Sequence, residues 1–121
     1  MWYISDIKML ENDWYGGNDM EKYVAYVSTY TMWDKHGIKV FDVDMEKGSF
    51  TPKDQVEITN SSYVTISKSK KYLYSITDFG VEAYKIEKDG SLELINFASI
   101  NGMRGCYLST DYADEFLFVA G

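Results

Sequence analysis

Few side chains in this sequence have the type and spacing that chemistry demands. The single histidine, His36, lies in Asp34-Lys35-His36-Gly37 between two apolar runs, and reads as a surface turn residue, not a general base. The single cysteine, Cys106, stands beside apolar neighbours with no histidine expected near it, and reads as a small core residue, not a nucleophile. Asp42, Asp44 and Glu46 alternate but lack the loop glycine and ligand series of a calcium site, which leaves a solvated acidic edge. Arg104, within Asn101-Gly102-Met103-Arg104-Gly105, is the better candidate, because a loop guanidinium can grip a phosphate through two parallel hydrogen bonds. No phosphate-binding loop, zinc spacing or Ser-His-Asp pattern occurs, and the glycosylation sequon Asn60-Ser61-Ser62 is of a kind common by chance.

The elements that position these residues must come from a chain of 121 residues, enough for one modest domain. Apolar residues make up 45% and aromatics 17%, with 11 tyrosines, a mixture suited to half-buried strands. Acidic residues outnumber basic ones by 19 to 12, giving a net charge of −7. Such a surface repels phosphate backbones, so nucleic acid is not an expected partner, and an anionic ligand would have to be drawn by local cations. One cysteine permits no intramolecular disulfide, which fits a reducing, cytoplasmic setting. Met1 to Leu10 carries Asp6 and Lys8 among its apolar residues and does not resemble a signal peptide. No window approaches the roughly 18 apolar residues of a membrane span, so no membrane association is expected.

The chain repeats itself. Tyr23-Val24-Ala25-Tyr26-Val27 recurs as Tyr72-Leu73-Tyr74-Ser75-Ile76 and again as Phe116-Leu117-Phe118-Val119-Ala120, at offsets of 49 and 44 residues. Gly37-Ile38-Lys39-Val40-Phe41-Asp42-Val43 recurs as Gly80-Val81-Glu82-Ala83-Tyr84-Lys85-Ile86, 43 residues on. Gly48-Ser49-Phe50 recurs as Gly90-Ser91-Leu92, and Tyr63-Val64-Thr65-Ile66-Ser67 pairs with Cys106-Tyr107-Leu108-Ser109. Repeats of roughly 40–50 residues with a local period of two, not 3.6, mark the four-stranded blade of a β-propeller. Lys47-Gly48 and Asp89-Gly90 supply hairpin turns, and Pro52 falls early in an outer strand, where a missing donor is tolerated.

The expected fold is all-β: a partial β-propeller of about two and a half four-stranded antiparallel blades, occupying residues 22–121. One full blade is expected from Ser62 to Ala98, with strands Ser62–Ser67, Lys71–Ile76, Val81–Ile86 and Leu92–Phe97 running from the channel outwards. An earlier blade contributes Lys22–Ser28, Ile38–Val43 and Phe50–Ile58, and a later one Gly105–Ser109 and Phe116–Ala120. Residues 1–21 fall outside the repeat. Either Trp2-Tyr3-Ile4-Ser5-Asp6-Ile7 supplies the missing innermost strand of the first blade, or the segment is an extension. Propellers close with four to eight blades. These residues alone therefore imply a fragment, or copies that self-associate through open strand edges.

In order and spacing these segments resemble the lactonase (6-phosphogluconolactonase-like) family of seven-bladed β-propellers. Tyr26-Val27-Ser28-Thr29-Tyr30-Thr31 resembles the family's Y-V-G-T-Y-T, and Gly37 to Asp44 resembles G-I-x-V-F-D-L-D. Asn60-Ser61-Ser62-Tyr63-Val64 is similar to N-P-S-Y-L, Ser67 to Tyr74 to S-P-D-G-K-Y-L-Y, and Gly105 to Ser109 to P-C-H-L-S. Departures include Ser61 for the proline, Ser67-Lys68-Ser69-Lys70 for the S-P-D-G turn, and Tyr107 for the histidine.

The resemblance implies hydrolysis of a sugar lactone, typically 6-phosphogluconolactone, without a cofactor. It also implies that most acid/base and phosphate-binding groups come from later blades, so that this chain alone is inert. Within the chain, the resemblance places Tyr30, Tyr63 and Tyr107 near the channel ends, where a hydroxyl can bond a sugar, and the repeat places Arg104 at the mouth. Asp78 follows a second strand and reads as a turn acceptor. The expected partner is a small-molecule sugar lactone; the alternative is a non-catalytic propeller serving as a binding or scaffold module.

Overall fold

A computed structural model describes residues 3–11, 22–31, 35–100, 105 and 107–120. None of the described residues is helical. The first sheet holds β1 (Tyr3–Glu11), β2 (Lys22–Tyr30), β3 (Ile38–Asp44) and β4 (Ser49–Val56) in that order. The second holds β5 (Val64–Ile66), β6 (Tyr72–Thr77), β7 (Gly80–Ile86) and β8 (Leu92–Ser99), again in sequence order. A two-stranded sheet pairs β9 (Tyr107–Thr110) with β10 (Leu117–Ala120). All neighbours within these sheets are antiparallel. This is the all-β propeller arrangement expected from the repeat, with strand ends within a few residues of the expected ones.

Strand alternation distributes the apolar residues to two faces of each sheet. Val24, Tyr26, Ile38 and Val40 of the first sheet meet Val64, Leu73 and Tyr84 of the second, all nearly inaccessible to solvent. On its other face, the second sheet packs Ile76 and Val81 against Leu108 of β9. Each sheet is thus completed by its neighbour, and each large aliphatic side chain buried in this way contributes about 1.5–3 kcal/mol.

Polar contacts fix the angle between sheets. The Tyr26 hydroxyl donates to the Gly90 carbonyl at 2.6 Å, tying β2 to the β7–β8 turn. Burial, aided by the charge of Asp89, pushes that hydroxyl's pKa far up and keeps it a donor. A Cβ at Gly90, whose φ is +91°, would lie 2.6 Å from Val24, so the turn sits flush on the first sheet only as glycine. Burial and a 2.5 Å bond to Glu82 likewise raise the Tyr84 hydroxyl.

At the next junction, Asp114 in the β9–β10 turn accepts from the backbone N–H groups of Lys68 (2.8 Å) and Ser69 (2.7 Å). Desolvation pushes its carboxyl up, but those N–H donors outweigh it and hold the pKa below the ordinary aspartate value. A depressed folded-state pKa contributes stability that is present above the unfolded value and is lost as pH falls through the folded one. Asp114→Asn is therefore expected to lower the melting temperature at neutral pH and to flatten its decline below about pH 4. A variant whose melting curve tracks the parent's at every pH would show that this turn-to-turn bond does not couple the sheets.

Candidate functional site

The first strand of each sheet has a hydrogen-bonded neighbour on one side only, and these first strands lie next to one another. β1 approaches β5, and β5 approaches β9. Edge donors there need partners. The Val64 N–H of β5 finds one in the Asp6 carboxylate of β1, at 3.2 Å. An irregularity between Ile4 and Asp6 in the β1–β2 pairing sets the alternation of the rest of the strand: Leu10 packs on the cluster between the two sheets, and Asp6 and Lys8 share its face of β1.

Lys8 reaches across this junction. Its Nζ lies 3.1 Å from both Asp6 oxygens and 4.7 Å from the centroid of the Tyr63 ring. Tyr63, just before β5, in turn sits 5.1 Å from the Tyr107 ring at the start of β9, the planes inclined by 43°. Tyr63 is half-buried against the Ile76, Val81 and Leu108 cluster, while Tyr107 is 51% exposed. β1, the residue leading into β5, and β9 thus place a cation and two phenol rings side by side.

Two of the sequence-predicted site residues are brought together here, Tyr63 and Tyr107. Tyr30 ends β2, is exposed, and stands in register with Tyr3, one strand away from the edge that carries Lys8. Arg104 and Cys106 lie outside the described residues. His36 bridges Ile58 in parallel, in the connection after β2. Asp42 pairs with Lys53 at 2.9 Å, and Asp44 accepts from the backbone of Glu46 and Lys47 to shape the hairpin turn. Lys8 escaped the sequence reading because it belongs to no motif; the one available signal was a lysine interrupting the apolar residues of a short N-terminal strand.

Beside the tyrosines a polar network links the first two sheets. Asn60 adopts a left-handed φ of 45°, accepts from the backbone and hydroxyl of Thr31 (2.8 and 3.1 Å), and donates to the Asp78 carboxylate (3.0 Å). The Thr31 hydroxyl returns the interaction by accepting from the Asn60 N–H at 2.9 Å. Next to it, the Ser61 and Ser75 hydroxyls bond at 2.6 Å, and those of Thr59 and Thr77 at 3.0 Å. The sequon asparagine is therefore engaged through both ends of its amide. Asn60→Ala is expected to cost about 2–3 kcal/mol, from lost bonds and the left-handed backbone, as read by urea denaturation. Asn60→Gly relieves only the backbone part, and equal losses for both would locate the whole effect in the bonds.

Among the described residues no group of three or more His, Cys, Asp or Glu is placed to hold a metal ion. Nor is any helix among them long and apolar enough to cross a membrane. A cavity of about 390 Å³ opens instead on the outer strands, among Lys39, Phe41, Pro52 and Lys53, where β4 carries an extra residue opposite the Val40–Phe41 step. It lies on β3 and β4 and touches none of the first strands.

Known proteins share this arrangement. The family described as lactonase, 7-bladed beta-propeller, matches residues 24–121. The chain is 37% identical over 107 residues to the 6-phosphogluconolactonase of Bacillus subtilis, covering 84% of this chain and 31% of that protein. It is 34% identical over 92 residues to the 6-phosphogluconolactonase of Formosa agariphila, covering 69% and 26% respectively. A Bacteroides fragilis crystal structure, provisionally assigned as a 6-phosphogluconolactonase, superimposes with a TM-score of 0.67 at 33% identity, over 74% of this chain and 27% of that one. A Bacteroides uniformis structure matches at the same TM-score with 23% identity, a likeness of fold alone, over 78% of this chain and 29% of that one. The chain thus spans about a third or less of the length of the relatives it matches. With the four-stranded antiparallel sheets in place, the chain belongs to the lactonase family of seven-bladed β-propellers, matching its N-terminal portion.

Proposed function

We propose that these blades form the N-terminal, substrate-binding portion of a sugar-lactone hydrolase acting on 6-phosphogluconolactone or a close relative, in the cytoplasm. The observation that carries the reading is the approach of Tyr63, just before β5, and Tyr107, at the start of β9, to 5.1 Å in a lactonase-family fold. Phenol rings with hydroxyls at their tips suit a polyhydroxylated ring, offering an apolar face and hydrogen bonds together. Arg104, three residues before β9 in the sequence, is assigned to the substrate phosphate as a bidentate clamp, and Tyr30 to the outer rim.

Lactone opening needs a base to activate water and donors for the oxyanion that forms on the carbonyl oxygen. Neither role is given to the residues of this portion, whose part is to hold the sugar while groups from other blades carry the proton. In this reading no cofactor takes part. Phe116, just before β10, and Phe118 on it, 63% and 57% exposed, are surfaces for a further blade to cover; a second copy pairing at that edge is the other source of cover.

The test compares lactone hydrolysis by a complete ring containing these blades with that by the 121-residue chain. The ring should open 6-phosphogluconolactone faster than buffer, while the shorter chain binds the product 6-phosphogluconate without turnover. A complete ring no faster than buffer overturns the hydrolase reading and leaves a propeller that only binds.

A further inference from the structure

We propose that Lys8 is a specificity-determining residue, selecting ligands whose sugar carries a phosphate group and placing that group at the β1–β5 junction. The inference rests on the sugar-binding reading above and extends it to the charge of the ligand. Lys8 lies in β1, outside the residues 24–121 that match the family, so its role is argued from this chain's geometry alone.

A chain of net charge −7 repels an approaching anion at long range, and only a local cation reverses that. Lys8 is such a cation, poised over the ring that the sugar is proposed to meet. Its pairing with Asp6 does not use it up. The Asp6 carboxylate is held by three donors: the Ile7 N–H at 2.9 Å, the Val64 N–H at 3.2 Å, and Lys8 itself. An ammonium has three N–H groups, of which a carboxylate takes at most two, so one remains for a ligand oxygen. The pair is also asymmetric, with the Lys8 side chain 34% exposed and that of Asp6 16%. The carboxylate is anchored in the junction, and the lysine side chain is the more exposed of the two. The Tyr63 ring holds the ammonium from one side, which reduces the entropy lost when an anion is bound.

Calorimetric titration of the 121-residue chain with 6-phosphogluconate and with gluconate tests this. Lys8→Met is expected to weaken 6-phosphogluconate by about tenfold or more, to leave gluconate unchanged, and to be rescued by Lys8→Arg. Asp6→Asn, which removes the competing anion but keeps hydrogen-bonding atoms, is expected to tighten 6-phosphogluconate. Melting curves of each variant separate these effects from folding. Equal weakening of both ligands by Lys8→Met, or no change in either, overturns the assignment of Lys8 while the sugar-binding reading stands. Binding of neither ligand by the parent chain overturns both.

Discussion

Replacing Gly80 with alanine is expected to destabilise the protein by about 3 kcal/mol or more, the upper end of what overpacking costs. A Cβ at Gly80 would lie 2.1 Å from the carbonyl oxygen of Ala98, a backbone atom of β8 that cannot turn away. The preceding sheet has the same device. Gly37 immediately precedes its third strand, and there a Cβ would lie 2.4 Å from the Ile58 carbonyl oxygen, which accepts the Gly37 N–H at 3.0 Å. In both sheets the chain must run too close to the following segment for any side chain. Gly37→Ala should therefore cost a similar amount, and thermal melting should register each as a fall of about 10 °C. Melting within a degree or two of the parent would mean that the strands separate freely at this point.

Tyr63→Ala carries the second large effect, on both binding and folding. The ring touches the Lys8 ammonium, the Tyr107 ring and the Ile76–Leu108 cluster at once. Removing it from a half-buried site should cost about 2 kcal/mol of stability and weaken 6-phosphogluconate by more than tenfold. Tyr63→Phe separates the two contributions. It keeps the packing and the face offered to Lys8, so its stability should stay near the parent's, and any loss of affinity then belongs to the hydroxyl. A Tyr63→Ala chain that binds as tightly as the parent would remove the tyrosine pair from the site.

Much of the fold was legible because the repeat is spelled in residues that alternate. Ile38 and Val40 against Phe41 and Val43 predict the two faces of β3, and those residues do divide between two apolar clusters. The recurring glycine before each third strand was visible as a period of 43 residues, but its reason, a carbonyl at van der Waals contact or closer, exists only in the folded sheet. β1 was less legible, since it has no counterpart in the repeat. Its register comes from eight partners along β2, and its place beside β5 from the Asp6 carboxylate. For the same reason Lys8 was hidden, whereas Tyr63 and Tyr107 occupy repeat positions and could be singled out. Asn60 read as part of a chance sequon, because its left-handed turn and its two partners, 29 residues before and 18 after it, leave no local pattern.

The most direct test of the account is to map where 6-phosphogluconate perturbs backbone amide resonances of the isotope-labelled chain. The first-strand site predicts shifts centred on Lys8, Tyr63, Val64 and Tyr107, saturating together with a single affinity. Shifts centred on Lys39, Phe41 and Lys53 around the outer cavity, or none at all, would contradict it.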